Sequence, residues 1–212
     1  MSRIDPLRPR KLPVQARARA THDAIIEAAA QIVRAGGLSA FTTNAVAERA
    51  GVSIGSLYQY FPNKAALMVA LIARQQARQR AAFRAALTTG DDEGLAALVR
   101  RLVRAAMQHH HEDALLAAAI DHEEARLPAA AFGAETLDEA SAALPGILGR
   151  YASELDGYDP ARAARTLPAM VRAVVDAWAN VVPPQVETAE DEAVRAVLGY
   201  LGAGARKGAC RE

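Results

Sequence analysis

The sequence predicts an all-α protein in which an N-terminal three-helix unit precedes a larger helical domain, with about nine helices in total. Alanine is used heavily and runs of β-branched residues are scarce, which favours helices over strands. Apolar residues recur at three- and four-residue steps in one segment after another, and no alternating strand pattern competes with them. Glycine and proline separate these segments and mark the helix ends.

Residues 1–20 are predicted to form a flexible basic arm, because they combine three prolines with six Lys/Arg. Residues 1–64 hold nine Lys/Arg and four Asp/Glu, a balance of +5, whereas the other 148 residues hold sixteen and twenty, a balance of −4. A basic N-terminal part on a mildly acidic body indicates binding to a polyanion. A basic tail without a partner is the alternative.

Residues 21–65 are predicted to form the first domain. Its first helix starts at Thr21 and ends at the pair Gly36-Gly37. Two short helices follow within residues 43–60, joined by a tight turn in which Gly51 is expected to take a positive φ. This spacing of helix, turn and helix is typical of a helix-turn-helix. Thr42 or Thr43 is expected to cap the first of the two short helices, and Ser53 the second.

The second short helix carries the predicted chemistry. If Leu57 points inward, Gln59 and Tyr60 lie on other faces and Tyr58 lies near the edge. A phenol can donate a hydrogen bond to a phosphate, and glutamine can bind a base edge, adenine best of all. Phe61 is predicted to lie in the core, where it anchors the turn into a fourth helix. The alternative is that the aromatic side chains only close a small core.

Residues 24–67, AIIEAAAQIVRAGGLSAFTTNAVAERAGVSIGSLYQYFPNKAAL, resemble the tetracycline-repressor (TetR) family of bacterial transcription regulators. The shared pattern is a helix ending in Gly, a Thr-Thr pair, AERAGVS, a helix of the form G-S/T-L-Y-x-Y-F, and Pro-x-Lys. One departure is Ile54, where many members carry lysine or another polar residue. The resemblance implies that a DNA-binding surface includes Thr42, Thr43, Ser53, Ile54, Gly55, Ser56, Tyr58, Gln59, Tyr60 and Lys64.

For residues 66–212 the resemblance implies effector binding and dimerisation. Apolar side chains on the middle helices are the candidate contacts of a hydrophobic small molecule, although such stripes are more often plain core. These candidates are Phe83, Leu102, Met107, Leu116, Ile120 and Phe132. The last two long helices carry the candidate dimer interface, with intrachain core as the alternative. Its candidates are Leu167, Val171, Val174, Val175, Trp178, Leu198 and Leu201.

A histidine and carboxylate cluster at residues 109–123 supports the competing hypothesis of an all-helical, metal-dependent enzyme. Three consecutive histidines on a helix point in three directions and cannot all bind one ion. We therefore expect a solvated helix end, with no cofactor, metal site or catalytic residue. A DNA-binding protein without sequence preference is a third hypothesis, but it needs no large second domain.

The function that the sequence favours is a homodimeric, ligand-responsive transcription regulator, most often a repressor in such families. It is expected to bind double-stranded DNA at an inverted-repeat operator and to leave it when the effector binds. No apolar run reaches the roughly 18 residues that cross a membrane, and residues 1–20 lack the apolar core of a signal peptide. We therefore expect a cytoplasmic protein without a membrane segment. The single cysteine, Cys210, excludes an internal disulfide framework.

Overall fold

The computed structural model describes residues 16–88, 93–127, 135–155, 159–179 and 181–202. Within these ranges the chain forms ten α-helices and no strand, which confirms the predicted all-α class. The helices are α1 Ala16–Ala40, α2 Thr43–Arg49, α3 Ile54–Tyr60, α4 Lys64–Thr88, α5 Leu95–Ala106, α6 Gln108–Glu112, α7 Ala114–Arg126, α8 Glu135–Gly149, α9 Pro160–Trp178 and α10 Val186–Tyr200. A short 3-10 helix occupies Ala152–Glu154. No described helix has both the length and the apolar character that a membrane crossing requires.

The chain divides into two compact units whose limits differ from the predicted domain boundary after residue 65. The first unit comprises Met1–Arg78 and Leu115–Ala134, and the second comprises Gln79–Ala114 and Glu135–Glu212. The first unit therefore takes in the first half of α4 together with α7. The physical reason is that α7 buries its apolar side chains in the same core as α1 to α4.

Helix α1 begins at Ala16, five residues before the predicted start at Thr21. Residues 16–20 of the predicted flexible arm are thus helical, since alanine and arginine are both strong helix formers. The remaining residues of that arm, 1–15, lie outside the described part of the chain. The predicted stop is seen at Gly37, whose φ of 65° interrupts the helical backbone before Ala40.

The core of the first unit holds the helix-turn-helix against α1, α4 and α7. Ile25, Leu57, Phe61 and Ile72 are each 0% exposed. They come from α1, from α3, from the segment just after α3 and from α4, so four parts of the chain meet in one apolar cluster. Burial of this kind supplies most of the stability of short helices, which are marginal alone.

An ion pair and a hydrogen bond link α4 to α1 and α7 within the first unit. Arg74 on α4 donates from Nη1 to Oε2 of Glu27 on α1 at 3.0 Å, and Arg34 lies 3.5 Å from Glu27 Oε1. Gln76 donates to Oε1 of Glu124 on α7 at 2.9 Å. Burial raises the pKa of Glu27, but Arg74, the hydrogen bond from Gln31 and Arg34 outweigh that effect, so its pKa lies below the ordinary value.

Lowered pH is expected to weaken the link between α1 and α4. A carboxylate with a depressed pKa stabilises the folded state at pH values above its unfolded pKa, about 4.3, and this contribution is lost as pH falls through the folded value. We expect Glu27→Gln to flatten the acid limb of a plot of unfolding free energy against pH. The exposed Glu48 on α2 provides the control, since Glu48→Gln should keep the wild-type slope. Equal acid limbs for Glu27→Gln and the wild type would contradict this account.

The second unit is built on α5, α8, α9 and α10, whose apolar faces form one cluster. Leu98 of α5 is 0% exposed, and α10 packs against both α5 and α9. Three of the predicted dimer contacts lie in or next to this cluster. Leu167, Val175 and Leu201 are 6%, 8% and 2% exposed, because the apolar stripes of α9 and α10 pack into the core of their own chain.

A buried carboxylate joins three helices of the second unit. Glu190 on α10 is 6% exposed and accepts from Nε of Arg104 on α5 at 3.3 Å. Its Oε2 also lies 2.6 Å from Nε2 of His111 on α6. Neighbouring His110 is 1% exposed, so the expectation of a solvated helix end at residues 109–111 is wrong for this side chain.

Candidate DNA-binding surface

The helix-turn-helix consists of α2, a four-residue connection and α3, and its caps are those the sequence predicts. Thr42 precedes α2 and its hydroxyl accepts from the N–H of Ala45 at 3.2 Å. Ser53 precedes α3 and accepts from the N–H of Ser56 at 3.0 Å. Gly51 has a φ of 67°, the left-handed value expected for the turn, where a side chain would be strained.

Helix α3 has one inward and one outward face, as predicted. Leu57 is 0% exposed, whereas Ile54 is 39% and Tyr58 41% exposed. Gln59 is exposed as well, and so is Gly55. Because only the Leu57 side is covered by protein, the opposite face of α3 is accessible to a partner. We name α3 the recognition helix for this reason.

Hydroxyl groups form two pairs beside the recognition helix. The Thr43 and Tyr58 hydroxyls lie 3.2 Å apart and link α2 to α3, while those of Ser53 and Ser56 lie 2.8 Å apart. A hydroxyl that accepts one hydrogen bond can still donate another. With Thr43 as the donor, the Thr43–Tyr58 pair holds the phenol in place and leaves its O–H able to bind an anion. The half-buried Ser56 already has its hydroxyl engaged with Ser53.

Tyr60, Phe61 and Lys64 close the surface beyond the recognition helix. Phe61 lies fully in the core, which confirms its predicted anchoring position. Tyr60 is half-buried and packs against the same core, so it is less accessible than Tyr58. Lys64 is the exposed first residue of α4, and its Nζ lies 5.3 Å from the centre of the Phe41 ring. This cation–π contact orients the lysine while its charge stays at the surface.

Sequence reasoning missed His22, which packs on this end of the surface. Its ring stacks on Phe61 with centroids 5.1 Å apart, and it meets the Tyr60 ring edge-on at 6.2 Å. The available signal was helical spacing, since position 22 lies three residues before the buried Ile25 and so faces the same side of α1.

The predicted effector contacts that the structure describes belong to two core clusters. Leu116 and Ile120 belong to the core of the first unit, whereas Leu102, Met107 and the half-buried Phe83 belong to that of the second. Phe132 lies outside the described residues.

Four other predicted dimer contacts are less buried than Leu167, Val175 and Leu201. Trp178 is 38% exposed, and the half-buried residues are Val171, Val174 and Leu198.

An all-helical chain with a capped helix-turn-helix and an outward-facing recognition helix defines the class of helix-turn-helix DNA-binding regulators. Two family models match it. Residues 25–71 match the bacterial regulatory proteins of the tetR family, and residues 94–201 match the tetracyclin repressor-like C-terminal domain, which covers more than half of the chain. The chain belongs to the tetR family of bacterial regulatory proteins, and these matches do not support the enzyme hypothesis.

Similar proteins are found both by sequence and by structure. The HTH-type transcriptional repressor KstR of Mycolicibacterium smegmatis is 45% identical over 67 residues, 31% of this chain and 33% of that protein. The fatty acid degradation regulator FadR from Bacillus halodurans shares the fold at 22% identity and a TM-score of 0.65, over 87% of this chain and 100% of FadR. A flavonoid-responsive regulator, FrrA, is 26% identical with a TM-score of 0.52, over 89% of this chain and 98% of FrrA. The chain spans only a quarter to a third of the length of the curated KstR relatives that it matches.

Proposed function

We propose that this protein is a ligand-responsive transcriptional repressor that binds an inverted-repeat operator as a homodimer in the cytoplasm. The single observation that carries the proposal is the orientation of the recognition helix. Leu57 is buried while Ile54, Tyr58 and Gln59 face outward, and a major groove is wide enough to admit an α-helix such as α3. The KstR relatives are named as repressors, which favours repression over activation.

The residues of this surface divide into positioning and base-contacting roles. Thr43, Tyr58, Tyr60 and Lys64 contact phosphates, which fix the register of the protein on the duplex. Ile54, Gly55, Ser56 and Gln59 face the groove floor, with Gln59 binding a base edge and Ile54 contacting a thymine methyl.

Gly55 gives this assignment independent support. A Cβ at Gly55 would lie 3.8 Å from Ser53 Oγ, an ordinary contact, so packing within the protein does not require glycine there. A glycine at position 55 lets the backbone of α3 approach DNA closely.

The N-terminal charge fits the same surface. The basic residues of the arm, among them Arg17 and Arg19 at the exposed start of α1, neutralise phosphates or enter an adjacent minor groove. Binding is therefore expected to weaken as the salt concentration rises. A single recognition helix contacts few bases, so two copies on a two-fold axis are needed to bind successive half-sites.

The effector is proposed to be a hydrophobic or aromatic small molecule that binds the second unit. Met107, Leu102 and Phe83 supply apolar side chains there. The flavonoid-responsive name of FrrA supports an aromatic ligand. Effector binding favours a state of the dimer in which the separation of the two recognition helices no longer matches successive major grooves. Helix α4 transmits this change because it continues from the first unit into the second. Equal helix separations in free and ligand-bound dimers would refute this mechanism.

The proposal is tested by selecting bound sequences from a random DNA pool with the full chain. We expect the selected sequences to converge on an inverted repeat whose half-sites are about one helical turn, or a multiple of it, apart. Selection without convergence, at an affinity equal to that for unselected DNA, would indicate a DNA-binding protein without sequence preference. Absence of binding at low salt would refute DNA binding altogether.

Trp178 is expected to contribute strongly to the homodimer. It lies at the end of α9 with 38% of its surface exposed, next to the exposed Val181 and Val182. Large aromatic residues dominate the energy of protein interfaces, so Trp178→Ala should raise the dimer dissociation constant by about 30-fold. Sedimentation velocity across a concentration series measures this shift. Leu115→Ala, which alters an exposed leucine on α7, should leave the dimer unchanged, and equal dissociation constants for Trp178→Ala and wild type would move the interface elsewhere.

A further inference from the structure

His22 forms an aromatic cluster with Tyr60 and Phe61 at the C-terminal end of the recognition helix. Its imidazole lies nearly parallel to the Phe61 ring, with an interplanar angle of 29° and centroids 5.1 Å apart. It meets the Tyr60 ring at 63° and 6.2 Å, the edge-to-face geometry that aromatic pairs prefer. The His22 side chain is only 15% exposed, so the cluster is packed rather than solvated.

This end of the recognition helix depends on such support. Helix α3 has seven residues, and Phe61 leaves the helix in an extended conformation while its N–H still donates to the carbonyl oxygen of Leu57 at 2.9 Å. Phe61 is held by burial, but Tyr60 is half-buried and needs a neighbour to select one orientation of its ring. His22 supplies that neighbour from α1, a helix to which no base contact in the major groove is assigned.

We propose that His22 is a positioning residue for DNA binding, which acts by holding the Tyr60 phenol against the phosphate backbone. This inference rests on the proposed function, because Tyr60 is there assigned to a phosphate. The action belongs to the flat ring of His22 and not to its charge. His22 Nδ1 lies 3.1 Å from Oδ1 of Asp23, so one ring nitrogen is already engaged by a carboxylate on the same helix.

Two substitutions with side chains similar in size to histidine separate the effect of the aromatic ring from the effect of its charge. His22→Phe keeps a flat aromatic face, whereas His22→Leu fills the space without one. With DNA recovered from the random-pool selection as the probe, we expect His22→Leu to bind about fivefold more weakly and His22→Phe to bind within about twofold of the wild type. Thermal unfolding of each variant establishes that it is folded at the temperature of the binding assay.

A double-mutant cycle with Tyr60→Phe tests whether His22 affects DNA binding through the Tyr60 hydroxyl. If His22 acts by placing the Tyr60 hydroxyl, His22→Leu should cause little further loss once that hydroxyl has been removed. The salt dependence should keep the wild-type slope in His22→Leu, since no phosphate contact by a charged group is lost.

Three results would overturn the inference. The first is equal affinity of His22→Leu and His22→Phe, and the second is a fall of about one in the salt slope of both, which marks a direct phosphate contact. The third is a full loss from His22→Leu in the Tyr60→Phe background. Each of these presupposes that the wild type binds the selected DNA. If the wild type fails to bind, it is the proposed function that is wrong.

Discussion

Leu57→Ala is expected to destabilise the first unit by about 2–5 kcal/mol and to abolish operator binding. Leu57 is fully buried and is the one buried side chain of the seven-residue recognition helix. Truncation removes the apolar contacts that hold α3 against α1, α2 and α4, and a helix of this length does not persist alone. Chemical denaturation gives the free energy of unfolding, and titration with the selected operator gives the affinity.

The chain offers a matched control in Leu115→Ala on α7. Leu115 is 60% exposed, so removal of the same atoms should change the unfolding free energy by no more than about 0.5 kcal/mol and leave operator affinity intact. The two variants change composition identically and differ only in burial. Comparable losses of stability in both would show that Leu57 is not the residue that seats the recognition helix.

Gln59→Ala is expected to relax base preference at one position of each half-site. A glutamine that binds adenine through two hydrogen bonds discriminates against other bases by about 1–3 kcal/mol, and a dimer makes this contact twice. Gln59 is exposed, so the substitution should leave the unfolding free energy unchanged. Affinities for the operator and for single-base variants of both half-sites measure the effect.

Tyr58→Phe is the comparison for Gln59→Ala, because it removes a proposed phosphate contact and no base contact. The Tyr58 hydroxyl lies 3.2 Å from that of Thr43 and is assigned to a phosphate, which carries no base identity. Its removal should lower affinity for every sequence by a similar factor and keep the ranking of the operator variants. A uniform loss from both substitutions would remove the distinction between positioning and base-contacting residues.

Local patterns predicted the helix-turn-helix well because its determinants lie close together in the sequence. Ser53 caps α3 through an N–H three residues ahead, and Gly51 takes its positive φ for reasons internal to the turn. The burial of Leu57 and the exposure of Gln59 follow from the helical period once one face is known to be apolar.

Long-range packing limited the predictions for the rest of the chain. An apolar stripe shows that one face of a helix is buried, but it does not show which helix covers it. Leu116 and Ile120, which are predicted effector contacts, lie in the core of the first unit. Leu167 and Leu201, which are predicted dimer contacts, lie in the core of the second unit.

The amino-acid sequence by itself determined the all-α class, the position of the recognition helix and which of its side chains face outward, since these depend on caps, glycine and helical spacing over a few residues. Only the tertiary structure decided that α7 joins the first unit, that Glu190 is buried between Arg104 and His111, and that His22 stacks on Phe61. The contacts of His22 and Glu190 join residues 39 to 86 positions apart in the sequence, and the placement of α7 likewise depends on helices from distant parts of the chain. Local periodicity shows which face of a helix is apolar, but it carries no information about such distant partners.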